Sequence, residues 1–226
     1  RNQVGHPVGS FFGYQVVGLF RDSSDVAKSP TQTDAAPGRF KYKDVNGDGQ
    51  ITPDDRTFFG NPNPKFTYGL NLSVTYKNFD ISGVFYGSQG NDVLNMTRYY
   101  TDFYSTSNGG LAKSNVTKDA WTPQNLNTKV PVLEYAGSFS SNGAFNSYYM
   151  ENGSFLKMRS LIIGYTLNTT GALKKSGISR CRVYLQGANL FTITKYSGLD
   201  PELGGLVDGS QASSAFGVDF GNYPNN

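Results

Sequence analysis

The longest clean periodicity in the chain runs from Phe66 to Tyr76. Large apolar side chains occupy positions 66, 68, 70, 72, 74 and 76, with Thr67, Gly69, Asn71, Ser73 and Thr75 between them. Period-two alternation predicts a β-strand with one face in an apolar medium and the other in a polar one. A sandwich strand is usually about 5–6 residues long, whereas a tilted membrane-spanning strand takes about 9–11. The length favours the second. Aromatic residues at both ends fit the girdles at the two membrane surfaces.

Lys77-Asn78 then makes a tight turn, and Phe79 to Tyr86 returns with Phe79, Ile81 and Phe85 on one face. A second hairpin follows later. Ser154 to Leu167 places Leu161, Ile163, Tyr165 and Leu167 on one face, but Leu156 and Met158 fall on the opposite phase, which predicts a bulge near Arg159-Ser160. Arg180 to Thr194 is the returning strand. Phe11 to Phe20 and the alternation in 37–43 also read as strand. Residues 21–37 read as loop, and 88–147 as a long polar insertion with partial helix over Asp92–Phe103 and a short helix over Lys113–Trp121. Thr169–Ser176 looks like a helical turn. Short turns alternating with very long loops are the habit of an outer-membrane barrel.

Between these elements lies Asp44-Val45-Asn46-Gly47-Asp48-Gly49-Gln50-Ile51-Thr52-Pro53-Asp54-Asp55. Asp44, Asn46 and Asp48 put side-chain oxygens at loop positions 1, 3 and 5, Gly49 sits at the sharp turn, Gln50 offers its carbonyl, and Asp55 closes position 12. Such an all-oxygen set suits Ca²⁺. The alternative is an Asx/Gly-rich surface turn. Strand-like residues upstream and Gly60-Asn61-Pro62-Asn63-Pro64 downstream exclude flanking helices. The loop is therefore expected to be a structural staple in a β protein, not a paired calcium sensor.

Composition narrows the picture. The 226 residues contain 15 Tyr, 16 Phe and 27 Gly, and only 16% are charged. No run approaches a membrane helix of about 18 apolar residues. A net charge of +3 without a dense basic cluster argues against nucleic acid. One cysteine, Cys181, excludes an internal disulfide, and one histidine, His6, leaves little for a zinc site or a catalytic triad. Asp200 and Glu202 are the pair to weigh for a glycosidase, but neighbours two apart on a loop need no catalytic role. The chain is not expected to be an enzyme.

Several segments together resemble one family: Gly60 to Leu70, Phe155 to Arg159 with Leu161 to Leu167, Asn189 to Glu202, Gly217 to Pro224, and the Asp-x-Asn-x-Asp-Gly loop. They are similar to the C-terminal part of SusC/RagA-type TonB-dependent outer-membrane transporters of Bacteroidetes. The resemblance implies an all-β fold: an antiparallel transmembrane β-barrel segment, the late strands of a barrel of roughly 22 strands with a plugged lumen. It implies residence in the lipid bilayer of the bacterial outer membrane. It also implies a SusD-like surface lipoprotein as lid, the TonB complex as energy source through a plug region, and oligosaccharide or peptide cargo. On this reading residues 1–226 are partial barrel without plug or final strand, 44–55 is a calcium loop within an exterior loop, and 88–147 is an exterior insertion. Loops 21–65, 88–147 and 195–216 would face lid or cargo, with Tyr99, Tyr100, Tyr104 and Trp121 as candidate contacts, although such aromatics also pack loops against themselves. The rival reading is a soluble β-sandwich carbohydrate-binding module with a calcium-stapled loop, which needs a second sheet over the 66–76 face.

Overall fold

The computed structural model describes residues 2–103, 113–168, 175, 177, 179–203 and 216–221. In chain order the strands are β1 Phe11–Gly13, β2 Val16–Leu19, β3 Phe40–Tyr42, β4 Thr57–Gly60, β5 Phe66–Tyr76, β6 Phe79–Gln89, β7 Asp92–Asn95, β8 Met150–Asn152, β9 Phe155–Leu167, β10 Cys181–Thr194 and β11 Val218–Asp219. Two short helices, α1 Ser23–Lys28 and α2 Thr97–Thr101, join them.

The four long strands form one antiparallel meander in the order β10-β9-β6-β5, the wall of a barrel segment. Its register lines up the apolar positions across strands. One row is Tyr76, Phe79, Tyr165 and Val183; the next is Val74, Ile81, Ile163 and Leu185; then Leu72, Gly83, Leu161 and Gly187. Beyond the bulge come Leu70, Phe85, Met158 and Phe191, then Tyr68, Gly87, Leu156 and Ile193. Many of these side chains stand in the open, Leu185 at 74% of its free exposure. Among the described residues no second sheet covers this face, as a sandwich would require. Tyr76, Phe79 and Tyr165 at one end and Phe66 with Tyr68 at the other bracket it with aromatic rings.

The β9 register jumps from Ser160 to Met158 against Val84 and Phe85, so Arg159 is the extra residue, where the phase change predicted a bulge. A second irregularity falls at Asn189-Leu190 in β10, with Asn189 at φ 49°. Without the bulge, Leu156 and Met158 would rotate to the opposite face from Leu161 and Ile163.

The ends of the wall differ. Lys77-Asn78 closes one end tightly, and Asn78 there accepts from the Thr166 N–H at 2.8 Å. At the other end the long connections fold together as a cap. Its core is aromatic: Phe11, Tyr14, Phe40, Tyr42, Phe103 and Tyr149, with Ile51, Leu94 and Ala144. Buried Gln32 stitches β3 to the rest, accepting from Tyr42 N–H at 2.9 Å and donating to Phe40 O and Ser140 Oγ at 2.7 Å each.

The cap corrects several sequence expectations. Residues 21–37 contain α1, because Asp22 caps it by accepting from Asp25 N–H. Phe11–Phe20 is two strands, since β1 pairs β4 while β2 pairs β3. The stretch from Asp92 starts as β7 and becomes α2, and Asn115–Asp119 is a 3-10 turn. The expected turn at 169–176 lies outside the described residues apart from Lys175. No helix among the described residues is long and apolar enough to cross a membrane; strands are another matter.

The two faces of β5 should respond oppositely to charge. Leu72→Arg, in the middle row, is expected to destabilise the bilayer-embedded protein by about 2–4 kcal/mol in a denaturant titration in phospholipid, and Ser73→Arg by far less.

Candidate functional site

Two regions carry the polar chemistry: the cap and the inner face of the wall. In the cap, the 44–55 loop leaves β3 and is clamped to Thr31, whose N–H reaches Gly49 O and whose carbonyl accepts from Ile51 N–H, both at 2.8 Å. Asp44 Oδ1 accepts from Gly47 N–H at 2.6 Å and Oδ2 from Gly49 N–H at 2.9 Å. Asn46 Oδ1 accepts from Asp48 N–H, and Asp48 Oδ1 from Gln50 N–H. Gly47 and Gly49 sit at φ 76° and 81°, a region that L side chains rarely adopt.

Asp55 does a different job from its neighbours. It is fully buried, and its two oxygens accept from Val45 N–H at 2.8 Å and Thr52 N–H at 2.7 Å. With Thr52 it forms the capping box of the Pro53–Asp55 turn. Burial alone would raise its pKa, but backbone N–H groups of Thr52, Val45 and Asn46 outweigh burial and hold it below the ordinary carboxylate value. The donors available to a hard cation are thus Asp44, Asn46, Asp48, Gln50 O and Asp55. This all-oxygen set fits Ca²⁺ chemically; the Asp44 and Asp48 oxygens each accept a single hydrogen bond, whereas Asp55 Oδ2 accepts from both the N–H and the hydroxyl of Thr52. No group of three or more His, Cys, Asp or Glu that could hold a metal ion is assembled among the described residues. Asn46 and the Gln50 carbonyl would therefore have to supply part of any coordination shell.

The candidate aromatic contacts separate. Tyr99 is half-buried, packed near Tyr149 and edge-on to Tyr100 at 5.2 Å between centroids. Tyr100 is the open one, at 45% exposure. Trp121 packs against Gly38, where an added Cβ would lie 2.5 Å from the indole ring. Its Nε1 is buried without a partner among the described residues. Tyr104 lies outside the described residues.

Other cap residues were not singled out by their local sequence. Arg98 donates to Asp102 Oδ2 at 3.0 Å and to Tyr148 O at 2.9 Å, and lies 4.0 Å from the Tyr148 ring centroid. Tyr148 in turn donates to Asp102 at 2.9 Å. Burial pushes the phenols of Tyr42, Tyr148 and Tyr149 above their ordinary pKa, so they stay protonated; Tyr42 and Tyr148 donate, whereas the buried Tyr149 hydroxyl has no partner among the described residues. A polar cleft of about 650 Å³ lies between α1 and residues 126–128. There Lys41 Nζ meets Asp25 Oδ1 at 2.9 Å, and this ammonium holds the Asp25 carboxyl below its usual range.

On the inner face of the wall, Arg182 reaches across β9 to Asp80 on β6, its Nε donating at 2.9 Å. The bridge passes over Gly164, where a Cβ would lie 2.4 Å from the guanidinium. Nearer the cap, Lys157 binds both Asp200 and Glu202, and Arg159 binds Glu202. The carboxylate pair considered for hydrolysis is thus held in ion pairs. The alternation of β9 hides Lys157 and Arg159 as ordinary wall residues, and only the loop after β10 reveals their partners.

No protein-family model matches the chain. Among curated proteins, TonB-dependent receptor P3 of Formosa agariphila is 35% identical over 98% of this chain and 21% of its own length. TonB-dependent receptor P26 of the same organism is 31% identical over 98% of this chain and 22% of its own length. TonB-dependent receptor SusC of Bacteroides thetaiotaomicron is 28% identical over 92% of this chain and 18% of its length. Among solved structures, the RagAB peptide transporter superposes with TM-score 0.69 and 26% identity over 96% of this chain and 21% of that one. The chain therefore spans about a fifth of the length of these relatives.

The closing role of Asp55 has a pH signature. Its carboxylate pKa is lower folded than unfolded, so its stabilisation is present above the unfolded value of about 4 and lost as pH falls through the folded one. The N–H groups of Val45 and Thr52 should lose hydrogen-exchange protection on acidification, after correction for intrinsic rates. Asp55→Asn should flatten that dependence, and Asp55→Ala should cost about 1–3 kcal/mol by removing a charged acceptor from two part-buried N–H groups.

Proposed function

For a chain that belongs to the SusC/RagA-type TonB-dependent receptors, we propose that it supplies a stretch of outer-membrane barrel wall and the folded exterior cap above it. The observation that carries this reading is the two-faced meander. Its outward rows are apolar and bracketed by aromatics, its inward rows are mainly polar, and its long connections gather at one end. The outward rows suit lipid, and the antiparallel ladders satisfy the backbone where water is absent.

The whole protein is then an importer of oligosaccharides or peptides. The RagAB structures to which the chain is similar are a peptide transporter and a peptide importer, and SusC is a TonB-dependent receptor. Energy comes from the TonB complex, and a SusD-like lipoprotein closes over the cap. The wall orients cargo by polar contacts and needs no covalent step, so no catalytic residue is assigned. Of the described candidate aromatics, Tyr100 is the one placed to stack on cargo or lid, because Tyr99 and Trp121 are engaged in packing. Calcium, held by Asp44, Asn46, Asp48, Gln50 O and Asp55, relieves repulsion among the loop carboxylates and stiffens the cap.

The test uses the full-length receptor in its own outer membrane. It should stay in the membrane pellet after alkaline carbonate extraction, co-purify with a surface lipoprotein, and carry peptide or oligosaccharide identifiable by mass spectrometry. Recovery as a soluble monomer would sink the barrel reading. Tyr100→Ala should weaken cargo or lid binding by up to about tenfold, or about 1.4 kcal/mol, and an unchanged affinity removes Tyr100 from the site. Calorimetric titration of the detergent-solubilised receptor should give a calcium heat that Asp44→Ala abolishes. No heat with the native loop would leave 44–55 as a self-bonded turn.

A further inference from the structure

The segment from Tyr196 to Leu203, between β10 and the undescribed residues beyond, is tied to both parts of the fold. On the cap side the Tyr196 hydroxyl donates to Asp219 on β11, and both residues are buried. Ser197 donates through N–H and Oγ to the two oxygens of Glu151 on β8, each at 2.8 Å. Asn95 at the end of β7 donates to Ser197 Oγ at 3.2 Å. On the wall side Lys157 Nζ donates to Asp200 Oδ1 and Oδ2 at 3.1 and 2.8 Å and to Glu202 Oε2 at 3.0 Å. That uses all three ammonium donors of a side chain only 4% exposed. Arg159 takes the other Glu202 oxygen while its guanidinium lies 5.1 Å from the Tyr86 ring centroid.

Two cations meet two carboxylates, so the cluster is neutral as a unit. Breaking one partner out leaves a buried charge uncompensated, which is far costlier than an exposed ion pair is worth. The bulge turns Lys157 to the inner face, out of phase with Leu161 and Ile163, and Arg159, two residues on, reaches the same Glu202. Among the described residues no strand pairing joins Tyr196–Leu203 to either part, so side chains are what hold it there.

We propose that residues 196–203 are an ionic latch that locks the exterior cap to the inner wall, so that the two move as one rigid body. The latch concerns the mechanics of this chain and stands whether the cargo is peptide, oligosaccharide or neither. The latch adds a side-chain path, Glu151 to Ser197 and Asp200 to Lys157, beside the short backbone connection from β8 to β9. The test is hydrogen-exchange mass spectrometry on the detergent-solubilised full-length receptor. Lys157→Met should speed exchange in 196–203 by more than about tenfold, and in β8 and β11 to a smaller extent, while β5 and β6 keep their protection. Adding Asp200→Asn and Glu202→Gln should recover the melting temperature by removing the orphaned charges, yet leave 196–203 in fast exchange. Should Lys157→Met not fold, Glu202→Gln, which spares the Lys157–Asp200 pair, should give a partial release of the same segment. Unchanged protection of 196–203 in the folded variants, or an increase spread evenly over β5 and β6, would overturn the latch.

Discussion

The extra residue in β9 is the point on which the molecule turns. A strand crossing lipid has to keep one face apolar for its whole length, because a shift of one residue exchanges its faces. Leu156 and Met158 stand in phase with Leu161, Ile163 and Tyr165 only because Arg159 is looped out of the register. The same irregularity brings Lys157 and Arg159 to the carboxylates that follow β10. One backbone defect thus serves the outer face, through apolar continuity, and the inner face, through charge.

Above the wall, the long connections do not behave as loops in the ordinary sense. They share an aromatic core and order their polar groups as a folded unit does, with Gln32, Asp55 and Asp102 buried and bonded. Aromatic packing needs no regular element to support it, since rings bury large area with few torsions to freeze. That explains how a cap made of strands of two to four residues keeps a defined shape. It also explains why an aromatic residue in this region is poor evidence of a binding surface: Tyr99, Trp121 and Phe103 serve the cap's own packing, and of the candidate contacts Tyr100 is the exposed one.

Charge is used sparingly and across distance. Arg182 pairs with Asp80 over a glycine, and Lys157 pairs with a loop more than forty residues away. Each cation on the inner face has a named carboxylate opposite it, so the wall presents hydroxyls, amides and compensated pairs instead of a net field.

The sequence by itself determined the wall. Alternation over Phe66–Tyr76, the tight turn at Lys77-Asn78, the phase slip near Arg159 and the returning strand to Thr194 are local signals, because a strand's side chains point by parity alone. The oxygen-rich order of the 44–55 loop was legible for the same reason: its turn chemistry is written in neighbouring residues. Tertiary structure alone decided the cap. The capping of α1 beside Lys41, the parallel pairing of β11 with β7, the engagement of Asp55 with the backbone and the meeting of Lys157 with Asp200 join residues whose own neighbourhoods say nothing of one another. Periodicity carries information within a strand; a core or an ion pair between distant segments is fixed only when the chain has closed and the desolvated groups must find partners.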